Sequence, residues 1–205
     1  MSRKRNAPPA HGRNAHRRQR ERKPRYLVVA GGEVTEKQYF EYCGTHYNVD
    51  LRYRSQIRSP RQLADYAVKL KDEDGRDASV DSYKMVWVVV DVDDFHDHAD
   101  AQRICSDNGI GLIISNPCFE VWLIDHVQRC PDSIALTKDA ERLAAKLGIT
   151  EGARSKYINL DRIAGLEEEA IKTRVRTIPR GDCADDACLF PAKNGNTRRG
   201  RIWWM

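Results

Sequence analysis

Met85-Val86-Trp87-Val88-Val89-Val90 is an unbroken apolar run of strand length, and four of its six residues are β-branched. A run without polar alternation suits a strand covered on both faces, and such strands belong to parallel sheets with helices above and below. Tyr26-Leu27-Val28-Val29-Ala30 and Ile110-Gly111-Leu112-Ile113-Ile114 have the same character. Leu51 to Ile57 alternates apolar and polar, as a strand exposed on one side does.

Helix starts lie between these runs. Thr35-Glu36-Lys37-Gln38 has the form of a capping box, with Thr35 as N-cap and Gln38 reaching back. Tyr39, Phe40 and Cys43 then give one apolar helical face. Ser59-Pro60-Arg61-Gln62 is a second start, with Ser59 as N-cap and Pro60 at the first helical position. Leu63, Ala67 and Leu70 form its inner face. A helix is expected over 99–107. Asn116 and Pro117 suit the N-cap and first position of the next, and further helices are expected near 137–147 and 160–174. Strand and helix therefore alternate four times before a helical C-terminal part. The expected fold is α/β: a Rossmann-like, mainly parallel sheet with helices on both faces. In such sheets the ligand site lies beyond the carboxyl ends of the strands.

Charge divides the chain differently. The net charge is +5, yet residues 1–25 hold ten Lys or Arg against Glu21 alone, so the remainder is net acidic. Residues 1–24, with Pro8, Pro9, Gly12 and Pro24 and no apolar periodicity, read as a disordered basic arm. Such an arm neutralises phosphates and favours nucleic acid, or else it only solubilises. It has no aromatic residue before Tyr26, so nothing in it suggests base stacking. The α/β domain spans 25–178, and 179–205 reads as an irregular tail ending in Trp203-Trp204-Met205. These tandem tryptophans either dock on the body or form an exposed patch.

No apolar run approaches the ~18 residues that cross a bilayer, and no apolar segment follows the basic start as in a secretory signal. No membrane role is expected. The six cysteines show no Cys-x-x-Cys spacing and read as free buried thiols of a reducing compartment, so the expected location is the cytoplasm.

Candidate chemistry gathers at strand ends. Val90-Asp91-Val92-Asp93-Asp94-Phe95 closes the most apolar strand, and alternate residues of an extended chain share a face. Asp91 and Asp93 together repel unless a cation holds them, and Mg²⁺, a hard ion that keeps several waters, fits such a pair. Gly31-Gly32-Glu33-Val34-Thr35-Glu36 lets backbone approach a ligand at a helix N-terminus that favours anions. It lacks the Gly-x-Gly-x-x-Gly of dinucleotide sites. In Ser115-Asn116-Pro117-Cys118-Phe119-Glu120-Val121-Trp122-Leu123, the stripe Phe119, Trp122, Leu123 suits a core. Asn116 and Glu120 lie about one turn apart and could face one crevice. His96 and His98 flank Asp97, where they either assist proton transfer, ligate a metal, or are solvated. Cys183 and Cys188 have no nearby histidine, so zinc is not expected. Walker A, Gly-x-Ser-x-Gly and His-Glu-x-x-His sequences are absent.

From about Arg25 to Arg174 these elements resemble the RloB-like proteins. The resemblance rests on Thr35-Glu36 followed by Tyr39-Phe40, on Asp91-Val92-Asp93-Asp94-Phe95, and most specifically on Ser115 through Leu123. It implies a Toprim-like core, dependence on Mg²⁺ (or Mn²⁺), and a role in restriction-linked or abortive-infection phage defence beside an AAA- or ABC-type ATPase partner. Related Toprim effectors are nucleases.

The expectation is then a metal-dependent phosphodiesterase acting on nucleic acid, DNA or RNA, tRNA included. Asp91 and Asp93 would bind metal, with Glu33 as a further ligand. Glu33 or Glu36 would be the general base, and Glu120 would complete the catalytic set. Asn116, Gly31 and Gly32 would meet the substrate. The family's first strand usually ends in Glu-Gly, and Gly31 stands where that Glu is expected. The C-terminal Asn194-Gly195-Asn196-Thr197 also departs from an Asn-Pro-Ser-Thr-like element. A non-catalytic module that binds nucleic acid or a partner, having lost the acid at Gly31, is the alternative. A small-nucleotide sensor is a third reading, resting only on the Gly-Gly turn and the fold.

Overall fold

The structure is a computed structural model and describes residues 22–76, 81–92, 95–152, 156–175 and 202–204. Most of the basic arm, Asp93 and Asp94, and Cys183 and Cys188 lie outside those residues.

The elements run β1 (Arg25–Ala30), α1 (Thr35–His46), β2 (Asp50–Ser55), α2 (Pro60–Arg76), β3 (Met85–Asp91), α3 (His98–Asp107), β4 (Gly111–Ser115) and α4 (Glu120–Val127). Then come α5 (Thr137–Lys146), β5 (Thr150–Glu151), β6 (Tyr157–Ile158), α6 (Leu160–Ile163), α7 (Glu167–Val175) and β7 (Ile202–Trp204). The sheet order is β2-β1-β3-β4-β7, with every neighbouring pair parallel. This is the expected α/β architecture, a parallel sheet with helices on both faces.

The apolar strand runs are explained by the two cores. Tyr26, Val28, Trp87, Val89 and Ile113 point to a core shared with α1, α4 and α5. Leu27, Val29, Val88, Leu112 and Ile114 point to the opposite core, shared with α2 and α3. Every position of β3 from Val86 to Val90 is thus buried, on one face or the other. In the first core Trp87 stacks on Tyr26 with centroids 5.5 Å apart. Its indole lies against Gly111, its partner in register on β4. A Cβ at residue 111 would come within 2.5 Å of the ring, so a side chain there would have to displace the indole.

Three local readings are corrected. The capping box at Thr35 does not form. Thr35 is already helical, and its Oγ1 donates to the carbonyl of Lys156 (3.0 Å), while Gln38 Oε1 accepts from the amide of Ile158 (3.0 Å). Both side chains tie α1 to the antiparallel β5–β6 pair, which has no counterpart among the elements expected from sequence. The helix expected at Asn116 begins only at Glu120. The Asn116–Pro117 peptide is cis, and the i+3 bonds Val121 N–H to Cys118 O and Trp122 N–H to Phe119 O open the helix. The helix expected over 160–174 is two helices, parted at Gly165, where φ is +77°.

The second capping box does form. Ser59 N–H donates to Gln62 Oε1 (3.3 Å) and Gln62 N–H to Ser59 Oγ (3.5 Å), and Asp97 Oδ2 accepts from both Ser59 Oγ and Arg61 N–H. Of the expected irregular tail only Ile202–Trp204 is described, and it is a strand beside β4. Cys43, Cys105, Cys118 and Cys130 are buried free thiols. Among the described residues no helix is long and apolar enough to cross a membrane.

Candidate functional site

A cavity of about 440 Å³ opens beyond the carboxyl ends of β1, β2 and β3. Gly31, Gly32, Glu33, Glu36, Asp91 and Glu120 all line it, together with Arg58 and Lys156. Six of the expected site residues therefore meet in one place. Asn116 does not join them: it is exposed in the turn before α4 and is not part of the lining. Asp93 lies outside the described residues.

Each lining group has a structural cause. Glu36 sits in the first turn of α1 and folds back over the β1–α1 turn. A Cβ on residue 32 would lie 1.9 Å from both of its carboxylate oxygens, so only glycine there admits this arrangement. Tyr53 on β2 fixes the same turn by donating its hydroxyl to Gly32 O (2.6 Å). Burial pushes the Tyr53 phenol far up, and the charges of Glu36, Asp91 and Glu33 push it further. Glu33, by contrast, is exposed.

Asp91 ends β3 on the same side as Trp87 and Val89, paired in register with Ser115. The Ser115 hydroxyl is fully buried and has no hydrogen-bond partner among the described residues. His98 braces this strand end through Nε2, 3.0 Å from the Asp91 carbonyl, while His96 is exposed.

Glu120, the first residue of α4, is buried beneath Lys156. The Lys156 ammonium stands 3.5 Å from Glu120 and 2.7 Å from Glu141. Burial pulls the Lys156 pKa down, but the hydrogen bonds and charges of Glu141 and Glu120 outweigh it, and the ammonium is held well above its ordinary range. Burial likewise raises the Cys118 thiol, with Glu120 and Asp91 adding to the shift.

Sequence reasoning missed Lys156 and Arg58. Lys156 adjoins a two-residue strand, too short to leave a periodic signal. Arg58 follows β2 closely, so the strand-end rule that drew attention to Asp91 would have found it.

The model of the RloB-like proteins matches residues 26–182, which is most of the chain. The chain belongs to the RloB-like family. No curated protein and no solved structure matches it. In this RloB-like chain all three motifs lead into the described site. Thr35-Glu36 and Asp91 border the cavity, and the Ser115–Leu123 segment supplies Cys118 and Glu120. Gly31, where the family's acid is expected, lies beside open space: a Cβ there would meet nothing within 4 Å, and its φ is not in the left-handed region.

The donors suit a hard divalent cation. Among the described residues four carboxylates line the cavity against two cationic side chains, a surplus of two negative charges. The orphaned Ser115 hydroxyl beside Asp91 is a further oxygen at that strand end. Among the described residues no three His, Cys, Asp or Glu side chains form a ready-made cation cage. Mg²⁺ does not require one, since it commonly takes one or two carboxylates and completes its shell with water and substrate phosphate.

Proposed function

We propose that this RloB-like chain is a Toprim-like phosphodiesterase that cleaves nucleic acid with the aid of Mg²⁺ or Mn²⁺. The observation that supports this most is the cavity in which Glu36, Asp91 and Glu120 meet Arg58 and Lys156 beyond the carboxyl ends of parallel strands. Asp91 would hold the cation, joined by Asp93. A bound cation supplies Lewis-acid polarisation of the phosphate and a more acidic water.

The chain's own residues do the rest. Glu36, half-buried and folded over Gly32, accepts at a carboxylate oxygen the proton of the water that attacks phosphorus, while the P–O bond to the leaving sugar oxygen breaks and that oxygen takes a proton from solvent. Glu36 takes this role ahead of Glu33, which is exposed. Lys156 and Arg58 neutralise phosphate charge. Glu120, paired with Lys156, positions that ammonium. The acid missing at Gly31 favours the alternative of a non-catalytic binding module. The return of the Glu36 carboxylate to the same strand end argues against it. A role in phage defence beside an ATPase partner is supported by family membership alone.

Calorimetry with Mg²⁺ or Mn²⁺ tests the site. Asp91→Asn with Asp93→Asn should abolish binding while the circular dichroism stays unchanged. An unaltered affinity in that variant removes the metal assignment.

A further inference from the structure

The lining draws two kinds of side chain from different segments. Glu36, Asp91, Glu120 and Lys156 enter it from α1, β3, α4 and the residue before β6. Ile57, Pro60, Leu63 and Phe95 enter it from the β2–α2 connection, α2 and the β3–α3 connection, with the charge of Arg58 among them. Two of these apolar side chains are exposed although they border a cavity: Ile57 at 83% and Phe95 at 43%. Single exposed apolar residues need no explanation. Two in one cavity lining that also holds an arginine, a lysine and carboxylates combine apolar surface with groups directed at a phosphate.

We infer that this mouth takes one unstacked nucleotide of a single strand, its base against Phe95 and Ile57 and its phosphate toward Arg58, Lys156 and the acids. The inference rests on the phosphodiesterase reading and names its substrate class. The volume of about 440 Å³ suits one small-molecule-sized unit and not a section of duplex. A base held in a duplex stack cannot present its face to Phe95 without being flipped out. An aromatic platform beside cations is the general means of holding single strands without reading their sequence. Phe95 and Ile57 then set strand specificity, while the carboxylates act on the phosphate.

The test uses the full chain in EDTA, so that no cleavage intervenes, and an oligonucleotide carrying a fluorescent adenine analogue. It is offered single-stranded and annealed to its complement. The single strand should bind more tightly and its emission should fall on stacking. Phe95→Ala should weaken single-strand binding on the order of tenfold and restore the emission. Ile57→Ser should act in the same direction, and duplex binding should be unmoved by either. Both side chains are exposed, so the variants keep the fold. Equal affinity for single strand and duplex, or unchanged binding in Phe95→Ala, would each overturn the inference. A parallel assay with Mg²⁺ separates the two claims: stacking without cleavage defeats the phosphodiesterase reading alone.

Discussion

The carboxylate of Glu36 occupies the space that a side chain on residue 32 would need, with both oxygens 1.9 Å from the position of a Cβ there. Locally, Gly32 permits a tight turn and Glu36 complements the helix dipole, and neither role needs the other. The structure joins them into one device that returns an acid to the end of β1, one residue from Gly31.

Glu36→Gln is expected to lower the cleavage rate about 10²–10⁴-fold, the usual contribution of a general base. Gly32→Ala should lower it similarly by displacing the carboxylate, with thermal stability little changed. Glu33→Gln should have a minor effect. Rates measured on one labelled oligonucleotide check all three. A larger loss from Glu33→Gln than from Glu36→Gln would reverse the assignment.

Lys156 neutralises Glu120, whose side chain is 4% exposed. Lys156→Met leaves that buried carboxylate without its ammonium and should destabilise the chain by about 1–3 kcal/mol in urea denaturation. Lys156 is itself 40% exposed, so the effect should fall short of that for a fully buried pair. Glu120→Gln together with Lys156→Met should recover much of the stability and none of the activity. Additive losses in the double variant would mean that the two do not act as a pair.

How far the sequence was legible follows from the length of each signal. The runs at Tyr26, Met85 and Ile110 announced buried parallel strands because burial on both faces leaves no polar position in them. Asp91, Glu36 and Glu120 were legible as strand-end or helix-start acids. Thr35 and Gln38 misled because a capping box and a tertiary clamp use the same side chains. Only the position of the β5–β6 pair decides between them. Lys156 was invisible for the same reason: its place depends on a pair of two-residue strands with no pattern of their own.

Gly111 tests the packing that underlies the site. Gly111→Ala would place a Cβ 2.5 Å from the Trp87 ring and disturb its stack on Tyr26. The expected loss is about 1–3 kcal/mol, as for other overpacked cores. Trp87→Leu in the same background should relieve the clash. Wild-type stability in Gly111→Ala alone would show that the indole moves without resistance.

His126 sets a pH dependence. It is 3% exposed, with Nδ1 2.9 Å from the Trp122 carbonyl and Nε2 3.4 Å from the Tyr39 hydroxyl. Burial lowers its pKa below the ordinary value of 6.5, against smaller opposing effects of Trp122 and Glu167. The unfolded chain therefore binds the proton more readily, and stability should fall as pH drops below about 6.5. His126→Gln should flatten that acid limb between about pH 7 and pH 5, as read from urea midpoints. An identical slope in the variant would place the acid sensitivity elsewhere.

Asp91 and its neighbouring acids are assigned a metal-assisted phosphodiesterase role at the ends of the parallel strands. The most direct measurement is cleavage of end-labelled single-stranded RNA and DNA by the full chain, with Mg²⁺ and with EDTA, beside the Asp91→Asn chain. Cleavage should need Mg²⁺ and be lost in Asp91→Asn while the fold is kept. Cleavage that persists in EDTA, or undiminished in Asp91→Asn, would remove that assignment, as would an intact chain that binds Mg²⁺ and single strands yet cuts neither RNA nor DNA.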